Sequence, residues 1–335
     1  MQEKPPHNED RFLDSTLRPE TWDDYIGQDS IKNNLKILIS AARERKHPPE
    51  HLLFYGYPGL GKTTLAHLVA KEAGSGMQIT SGPAIEKVGD LASILTNLSN
   101  GDVLFIDEVH RLNKMIEEVL YPAMESGILN IIIGRGPSAR TIQLDLPPFT
   151  LIAATTRVAL LSSPLRSRFS GGVYKLDFYS NKEVEEILRR SAKVLGIFLP
   201  DDAIHEIASR ARHIPRIANQ LLKRCRDYAQ VKKVPFSKKI VVAALSMIGI
   251  DELGLTNADR MLLQVMVKKF SGGPVGLSTL SAALSEEEAT IEEVHEPYLI
   301  QLGLLTKTPR GRMATEKTFA HLSERLPQDF QKKLL

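Results

Sequence analysis

The chain has 335 residues, of which 42% are hydrophobic and 25% are charged, and its formal net charge at pH 7 is +3. The length predicts two or three domains, and the ordinary globular composition excludes bulk disorder. No apolar run reaches the roughly 18 residues of a membrane-spanning helix, and the polar N-terminus, MQEKPPHNED, lacks the apolar core of a secretory signal. The single cysteine, Cys225, excludes an intrachain disulfide and fits a reducing cytoplasm, where we expect it to serve only in packing.

Strand-like and helix-like runs alternate through the first half of the chain. LLFY, DVLFID and FTLIAATT predict strands, and helices are predicted to begin at Thr63 and Lys114. Such alternation predicts a parallel sheet flanked by helices. Before the last of these strands, ILNIIIGRGPSARTIQLDL predicts two further strands joined by the turn GRGPSA.

Beyond YKLDFYS the pattern becomes helical, with predicted helices over residues 181–195, 201–211, 214–231 and 238–248. A third segment begins near Gly254, where helical runs precede LGLLTKTPRGRMAT, two short strand-like pieces around a Pro-Arg-Gly turn. We therefore predict three domains, over residues 1–179, 180–253 and 254–335.

A glycine-rich loop follows the first predicted strand. HLLFYGYPGLGKTTLAHLVA contains Gly56-x4-Gly61-Lys62-Thr63 between a strand and a helix, which is the arrangement of a P-loop. The glycines let the backbone wrap a phosphate chain, so that N–H groups and the helix N-terminus face its negative charge. We expect Lys62 to reach the β- and γ-phosphates and Thr63 to place its hydroxyl on Mg²⁺.

An acidic pair, Asp107 and Glu108, ends the apolar strand of GDVLFIDEVHRL. At the carboxyl end of a parallel strand Asp107 would lie near Mg²⁺, and Glu108 would orient or deprotonate the attacking water. A strand that simply ends in a solvated acidic pair is the alternative, which the upstream P-loop disfavours. Helicases also contain the string Asp-Glu-x-His, but we expect His110 to be a neighbour of the chemistry and not a catalytic residue.

Two groups of basic residues are candidates for contact with phosphates. SSPLRSRFSGG offers Arg166 and Arg168, either of which could supply positive charge to a γ-phosphate in a neighbouring subunit. Taken alone, the pattern favours the alternative that each is a surface residue. Residues 254–335 hold ten basic and ten acidic residues, yet four of the bases fall in KTPRGRMATEK. This local patch predicts either a nucleic-acid contact or a solvated face.

Together these features resemble the AAA+ ATPases and, more closely, the RuvB family of bacterial Holliday-junction branch-migration motors. The resemblance spans roughly Leu17 to Thr315 and rests on LRPETWDDYIGQ, PGLGKTTLA, LFIDEVHRL, LYPAME, PPFTLIAATTR, SPLRSRF, IPRIANQLLKRCRDYA and TPRGRMAT, in family order. It implies an α/β P-loop AAA+ core, with a parallel sheet flanked by helices, a small all-α lid domain and a C-terminal winged-helix domain. It also implies ATP or ADP with Mg²⁺ as cofactors, and a homo-oligomeric ring, expected to be a hexamer. The implied partners are double-stranded DNA at four-way junctions, the junction-binding protein RuvA and the resolvase RuvC.

The resemblance also assigns roles to residues at matching positions. Thr156 matches a polar sensor of the γ-phosphate, Arg168 an arginine finger acting on a neighbour's ATP, and Arg216 a second sensor on the lid. The catalytic residues so implied are Lys62, Asp107, Glu108, Thr156, Arg168 and Arg216, and the metal ligands are Thr63 and Asp107. The residues implied to bind the nucleotide are Leu17, Arg18, Tyr25, Ile26, Gly59, Gly61, Lys62, Thr63, Thr64, Arg168, Tyr179 and Arg216.

The contacts with DNA and with RuvA are likewise implied by matching segments. Lys307, Arg310 and Arg312 match a DNA-contacting wing, and the hairpin around Asn130–Gln143 matches the element that docks on RuvA. Alternation in NIIIG independently sends Ile131 and Ile133 to one face, which we expect to be exposed and to bind the partner. Packing of that face back onto the sheet is the alternative.

Three positions depart from the family pattern. Tyr57 stands where proline is usual, at a variable position of the loop, so phosphate binding should survive. Lys307 replaces the usual arginine of the wing and loses its bidentate geometry. FSGGVYKLDFY is one residue longer than expected between Arg168 and Tyr179, which bears on the path of the chain there and on the placement of Arg168.

The resemblance implies an ATP-driven motor that encircles double-stranded DNA and drives branch migration of Holliday junctions in recombination and repair. Two other functions fit parts of the sequence. A clamp-loader-like ATPase would need no C-terminal wing, so TKTPRGRMAT counts against it. A DNA-binding regulator that holds ATP only as a ligand would need no water-activating acid, so Glu108 counts against it.

Overall fold

The computed structural model describes residues 16–133 and 140–326. These residues form two compact units, the first over residues 16–198 and 213–220 and the second over residues 199–212 and 221–326. This division differs from the three predicted domains, because parts of the middle segment belong to each unit. Within the described residues no helix is long and apolar enough to span a membrane.

The first unit is built on a five-stranded sheet in which every pair of neighbours is parallel, in the order β2-β3-β6-β1-β7. Its strands are β1 (Leu52–Tyr55), β2 (Met77–Ser81), β3 (Val103–Asp107), β6 (Thr150–Thr155) and β7 (Gly172–Lys175). Its helices are α1 (Asp29–Arg45), α2 (Lys62–Ala73), α3 (Val88–Thr96), α4 (Lys114–Ser126), α5 (Ser163–Arg166) and α6 (Asn181–Val194).

The central strands follow directly from the sequence. All six residues of β6 and the first four of β3 are buried, as expected of strands covered on both faces by helices. The predicted α/β core is thereby confirmed. The edge strands β2 and β7 are not predicted, since neither carries a continuous apolar run. Because parallel strands end at the same edge, β1, β3 and β6 bring the P-loop, Asp107 and Thr156 together.

A separate antiparallel hairpin joins β4 (Ile128–Ile133) to β5 (Arg140–Asp145), as predicted, while the predicted turn GRGPSA lies outside the described residues. Ile131 is half-buried and packs against the core of the first unit, so at this position the packing alternative holds in part. Its cross-strand neighbour Ile142 remains 42% exposed. The side chain of Ile133 lies outside the description.

The second unit is mostly helical and ends in a small antiparallel hairpin. Its elements are α7 (Asp201–Ala208), most of α8 (Pro215–Lys232), α9 (Lys238–Met247), α10 (Asn257–Phe270), α11 (Leu277–Leu284), α12 (Glu288–Thr290), a π-helix (Ile291–His295), α13 (Glu296–Gln301), β8 (Leu305–Thr308), β9 (Gly311–Ala314) and α14 (Glu316–His321). The hairpin β8–β9 matches the predicted pair of strands around the Pro-Arg-Gly turn. A bridge from Val275 to Arg312 ties it to the chain before α11.

An apolar core supports this C-terminal part. Leu262, Leu263 and Met266 of α10 pack with Leu299 of α13 and Phe319 of α14, each almost fully buried. Helices followed by a two-stranded hairpin on such a core form a winged-helix arrangement, as predicted.

Candidate functional site

A cavity of about 410 Å³ opens in the first unit at the carboxyl edge of the parallel sheet. A volume of this size suits a small-molecule or cofactor site. The predicted residues that line it are Leu17, Arg18, Tyr25, Ile26, Gly59, Gly61, Lys62, Thr63, Thr64, Asp107, Glu108, Tyr179 and Arg216. The chain therefore brings together segments that are up to two hundred residues apart in sequence.

Two glycines shape the loop between β1 and α2. Gly59 and Gly61 both have positive φ, at 82° and 102°, where a larger residue would be strained. A Cβ on Gly61 would lie 2.7 Å from the Tyr25 hydroxyl, and one on Gly59 would lie 2.8 Å from Cγ2 of Ile214. Only glycine permits this close packing, which leaves the N-terminus of α2 facing the cavity as an anion site.

Lys62 is the buried cation of the loop. Its Nζ donates hydrogen bonds to the carbonyls of Gly56, at 2.8 Å, and Tyr57, at 3.0 Å. Burial lowers the pKa of Lys62, and the charges of Asp107 and Glu108 partly offset this. The Tyr57 contact uses a backbone carbonyl, so it does not depend on the side chain at that position.

The acidic pair lies across the cavity from the loop. Asp107 ends β3, its Oδ1 accepts a 2.9 Å hydrogen bond from the Glu108 N–H, and burial raises the pKa of its carboxyl. Glu108 has φ of 48°, a left-handed backbone that is uncommon outside glycine and is often found at functional sites. The Thr156 hydroxyl donates to Glu108 Oε2 at 3.3 Å, so the predicted sensor and the predicted water-orienting acid are in contact.

His110 is closer to this chemistry than the sequence indicates. Its Nδ1 lies 3.2 Å from Glu108 Oε2 and 2.9 Å from the Thr155 hydroxyl. Burial lowers the pKa of His110, partly opposed by Glu108. The sequence alone gives no signal for this contact, because Thr155 is 45 residues away along the chain.

Two tyrosines line the cavity beside the loop, against Leu60 and Gly61. The hydroxyls of Tyr25 and Tyr179 lie 3.2 Å apart, and the Tyr179 hydroxyl donates to the Leu60 carbonyl at 3.1 Å. Burial raises the pKa of Tyr25 well above its ordinary value and that of Tyr179 to about 12, so both phenols stay neutral.

Arg190 of α6 is a cavity residue that sequence reasoning missed. Its guanidinium donates to the carbonyls of Leu17, at 2.9 Å, and Arg18, at 3.3 Å, and its Nε lies 3.5 Å from Asp24. These bonds hold the Leu17–Arg18 segment against the cavity. Only the helical pattern marks this part of the sequence, so no local signal singles Arg190 out.

Arg168 does not line this cavity. Its guanidinium donates to the Pro164 carbonyl at 2.6 Å, pairs with Glu125 at 3.0 Å and stacks over the Tyr121 ring at 4.5 Å. Its buried Nε has no hydrogen-bond partner among the described residues. The side chain is thus ordered by its own chain but directed away from its own P-loop.

A divalent cation would find a hydroxyl and a carboxylate in the cavity, from Thr63 and Asp107. Within residues 16–133 and 140–326 no cluster of three or more His, Cys, Asp or Glu side chains could hold a metal. Mg²⁺ typically binds through one or two protein oxygens together with substrate phosphates, and this donor set fits that habit.

The wing residues are largely committed to ion pairs within the second unit. Lys307 Nζ lies 2.8 Å from Glu296 and 3.0 Å from Glu292, and Arg312 Nε lies 2.6 Å from Glu296. The Glu296 side chain is only 1% exposed, so its two cations neutralise a buried carboxylate. Burial opposes protonation of Lys307, but the hydrogen bonds to Glu296 and Glu292 outweigh it and raise its pKa. Arg310 is exposed and makes no ion pair with any residue that the structure describes.

The parallel sheet, the P-loop that opens α2 and the acidic end of β3 define a P-loop protein of the AAA+ class. Three family models match successive parts of the chain: the Holliday junction DNA helicase RuvB P-loop domain over residues 17–175, the RuvB AAA lid domain over 179–251 and the RuvB C-terminal winged helix domain over 252–323.

Individual relatives agree with these matches. The Holliday junction branch migration complex subunit RuvB of Dehalococcoides mccartyi (strain CBDB1) is 53% identical over 316 residues, which cover 94% of this chain and 90% of that protein. The solved structure of the Thermotoga maritima RuvB Holliday junction branch migration motor matches with a TM-score of 0.84 and 46% identity, over 93% of this chain and 100% of that one. A mutant of a RuvB from the same organism matches with a TM-score of 0.85 at the same identity, over 93% of this chain and 99% of that one. The chain belongs to the RuvB family.

Proposed function

We propose that this protein is an ATP-driven motor that moves double-stranded DNA through Holliday junctions and so drives branch migration in recombination and repair. The observation that carries the proposal is the single cavity shared by Lys62, Asp107 and Glu108, in a chain similar to proteins named for branch migration. A buried cation facing two acids suits phosphoryl transfer to water.

Different residues of the cavity have different roles in ATP hydrolysis. Lys62 and the loop N–H groups bind the phosphates, and Arg216, whose backbone N–H lies 3.4 Å from the Gly59 carbonyl, adds a second positive charge beside the loop. Thr63 and Asp107 would hold Mg²⁺, which neutralises charge on the phosphates when bound. Glu108 orients a water and takes its proton, with Thr156 holding the carboxylate.

The active form is a homo-oligomeric ring, proposed to be a hexamer, in which Arg168 completes a neighbour's site. Support comes from the placement of Arg168 outside its own cavity, anchored on Tyr121 and Glu125. An arginine that stabilises the transition state from another subunit couples hydrolysis to assembly.

The wing meets the DNA backbone, and Arg310 is its principal phosphate contact. Glu296 engages Lys307 and Arg312, so these two residues mainly shape the wing that presents Arg310. DNA binding through phosphates does not depend on the base sequence, and its affinity falls as the salt concentration rises. We also propose the three-domain organisation over residues 1–179, 180–253 and 254–335, with a cytoplasmic location.

RuvA and RuvC are the proposed protein partners. The hairpin β4–β5 is the proposed RuvA contact, through Ile131 and Ile133 as the resemblance implies. Ile142, which is 42% exposed, is better placed for this contact than Ile131, which packs partly against the core. RuvC would join a larger complex at the junction.

A branch-migration assay on a synthetic four-way junction tests the whole proposal. With ATP, and with the junction-binding partner present, the junction should resolve into two duplexes. The Glu108→Gln variant should bind ATP and assemble, but it should hydrolyse ATP only at a residual rate seen in single-turnover measurements and should not migrate the junction. Unchanged junctions with the wild-type protein, partner and ATP all present would contradict the proposal.

A further inference from the structure

Two neighbouring threonines of the β6 edge hold Glu108 in the cavity, one directly and one through His110. The Thr156 hydroxyl donates to Glu108 Oε2 at 3.3 Å. His110 Nδ1 reaches the same oxygen at 3.2 Å and the Thr155 hydroxyl oxygen at 2.9 Å. Thr155 is itself fully buried, and its hydroxyl oxygen accepts the Arg157 N–H at 2.9 Å.

The chemistry of these partners determines the tautomer of His110. An ionised carboxylate can only accept hydrogen bonds, so the nitrogen that faces Glu108 must carry a proton. We therefore assign the proton to Nδ1, which lies 3.2 Å from Glu108 Oε2 and 2.9 Å from the Thr155 hydroxyl oxygen. With its side chain only 10% exposed, the imidazole ring has little freedom to turn away.

Glu108 needs such support because its own backbone does not restrain its carboxylate. The residue follows the last residue of β3 with a left-handed backbone, and its side chain is 36% exposed at the cavity wall. A general base must be held within hydrogen-bond reach of the water that it deprotonates.

We propose that His110 is a positioning residue for Glu108, donating its Nδ1–H so that the carboxylate stays aimed at the attacking water. The inference rests on the proposed hydrolysis of ATP in this cavity. His110 touches neither nucleotide nor water in this role, since it acts only through Glu108.

Variants that place the hydrogen-bond donor of residue 110 at different distances from Cα distinguish a positioning role from a role in packing alone. In asparagine the amide nitrogen lies as many bonds from Cα as Nδ1 of histidine, whereas in glutamine it lies one bond farther. His110→Asn should therefore keep the bond to Glu108, and His110→Gln and His110→Ala should lose it. Exposed His47, outside the cavity, provides the matched control His47→Gln.

The readouts are kcat for ATP hydrolysis, the nucleotide Kd and the unfolding midpoint of the full chain. We expect kcat to fall by about 10- to 100-fold in His110→Gln and His110→Ala, the range for groups that orient a functional residue. Kd should be unchanged, and His110→Asn should recover kcat to within a few-fold of wild type. Equal kcat in all four variants and the wild type would overturn the proposal, and so would equal losses in His110→Asn and His110→Gln.

A double variant tests whether His110 acts through Glu108. In single-turnover measurements, adding His110→Gln to Glu108→Gln should lower the remaining rate no further, because groups that act as a unit are not additive. A full multiplicative loss would contradict the proposal. Absence of hydrolysis by the wild-type ring would instead refute the proposed function, so the two failures are distinguishable.

Discussion

At the scale of single residues, we propose that Lys62 decides whether the cavity can bind phosphate. Its ammonium group is buried and bonded to the loop carbonyls of Gly56 and Tyr57, so it offers positive charge where solvent competes little. Thr63 and Glu108 depend on that bound phosphate for their own roles.

Replacing Lys62 tests this directly. Lys62→Ala should weaken binding of a fluorescent ATP analogue by at least about 10-fold, the equivalent of losing one charge-assisted contact. Lys71→Ala, on the same helix but exposed and only loosely paired with Glu20, should bind like wild type. Unchanged affinity in Lys62→Ala would remove the lysine from the phosphate site.

At the scale of elements, a buried ion cluster anchors α10 in the second unit. The Asp259 carboxylate caps α10 through Thr256, lies 2.7 Å from His295 Nδ1 and pairs with Arg212, whose guanidinium also stacks over the Tyr298 ring at 4.8 Å. Burial would raise the pKa of Asp259, but the bond from His295, the charge of Arg212 and the bonds from Thr256 outweigh it and bring the pKa to about 2.

A lowered carboxyl pKa stabilises the folded state above the unfolded pKa of 3.8, and that stability is lost as the pH falls toward about 2. Asp259→Asn should therefore cost about 2 kcal/mol of unfolding free energy at pH 7. The difference from wild type should shrink between pH 4 and pH 2. Chemical unfolding at several pH values measures it, with exposed Asp227→Asn as the control. A difference independent of pH would show that the ionised carboxylate is not the source.

In the wing, ion pairs with Glu296 occupy two of the basic residues, Lys307 and Arg312. Because Glu296 is buried, removing Arg312 would leave it with Lys307 alone, which is costly in a low-dielectric site. Removing Arg310 would break no ion pair among the described residues.

Substitution of these two arginines should therefore affect different properties: DNA binding for Arg310 and stability for Arg312. Arg310→Ala should weaken DNA binding and lower the slope of log affinity against log salt by about 1, with an unchanged unfolding midpoint. Arg312→Ala should lower the unfolding midpoint. Lys269→Ala, exposed and outside the wing, is the control in both measurements. Normal stability of Arg312→Ala would contradict its structural role.

At the scale of the whole molecule, the proposed role of Arg168 would make hydrolysis a property of the assembly. One chain supplies the P-loop and the acids, and we propose that its neighbour supplies the finger. Tyr121 and Glu125 hold the guanidinium within its own chain, and in the proposed ring a neighbour's phosphate would compete with them for it.

Mixing two inactive variants tests this arrangement. Arg168→Ala and Lys62→Ala subunits should each lack ATPase activity, yet mixtures should recover part of it where a Lys62→Ala subunit lends its Arg168 to an intact P-loop. The recovered rate should peak at intermediate ratios. Arg166→Ala, an exposed neighbour, should remain active alone. No recovery at any ratio would contradict a shared site.

Local patterns by themselves predicted much of this protein. Three of these patterns each lie within a few consecutive residues: the apolar runs of β1, β3 and β6, the glycine spacing before Lys62, and the acids that end β3. The structure and role of each could therefore be predicted without knowledge of the fold. Parallel pairing then forces them to one edge of the sheet.

Only the tertiary structure decided which side chains meet across the chain. It paired His110 with Thr155, turned Ile131 toward the core, placed Arg190 on the Leu17 carbonyl and gave Arg312 to Glu296. Each contact joins residues from different elements, so it depends on strand order, helix packing and burial. Sequence spacing carries no record of these, because the energy of a polar contact is set by what surrounds it after folding.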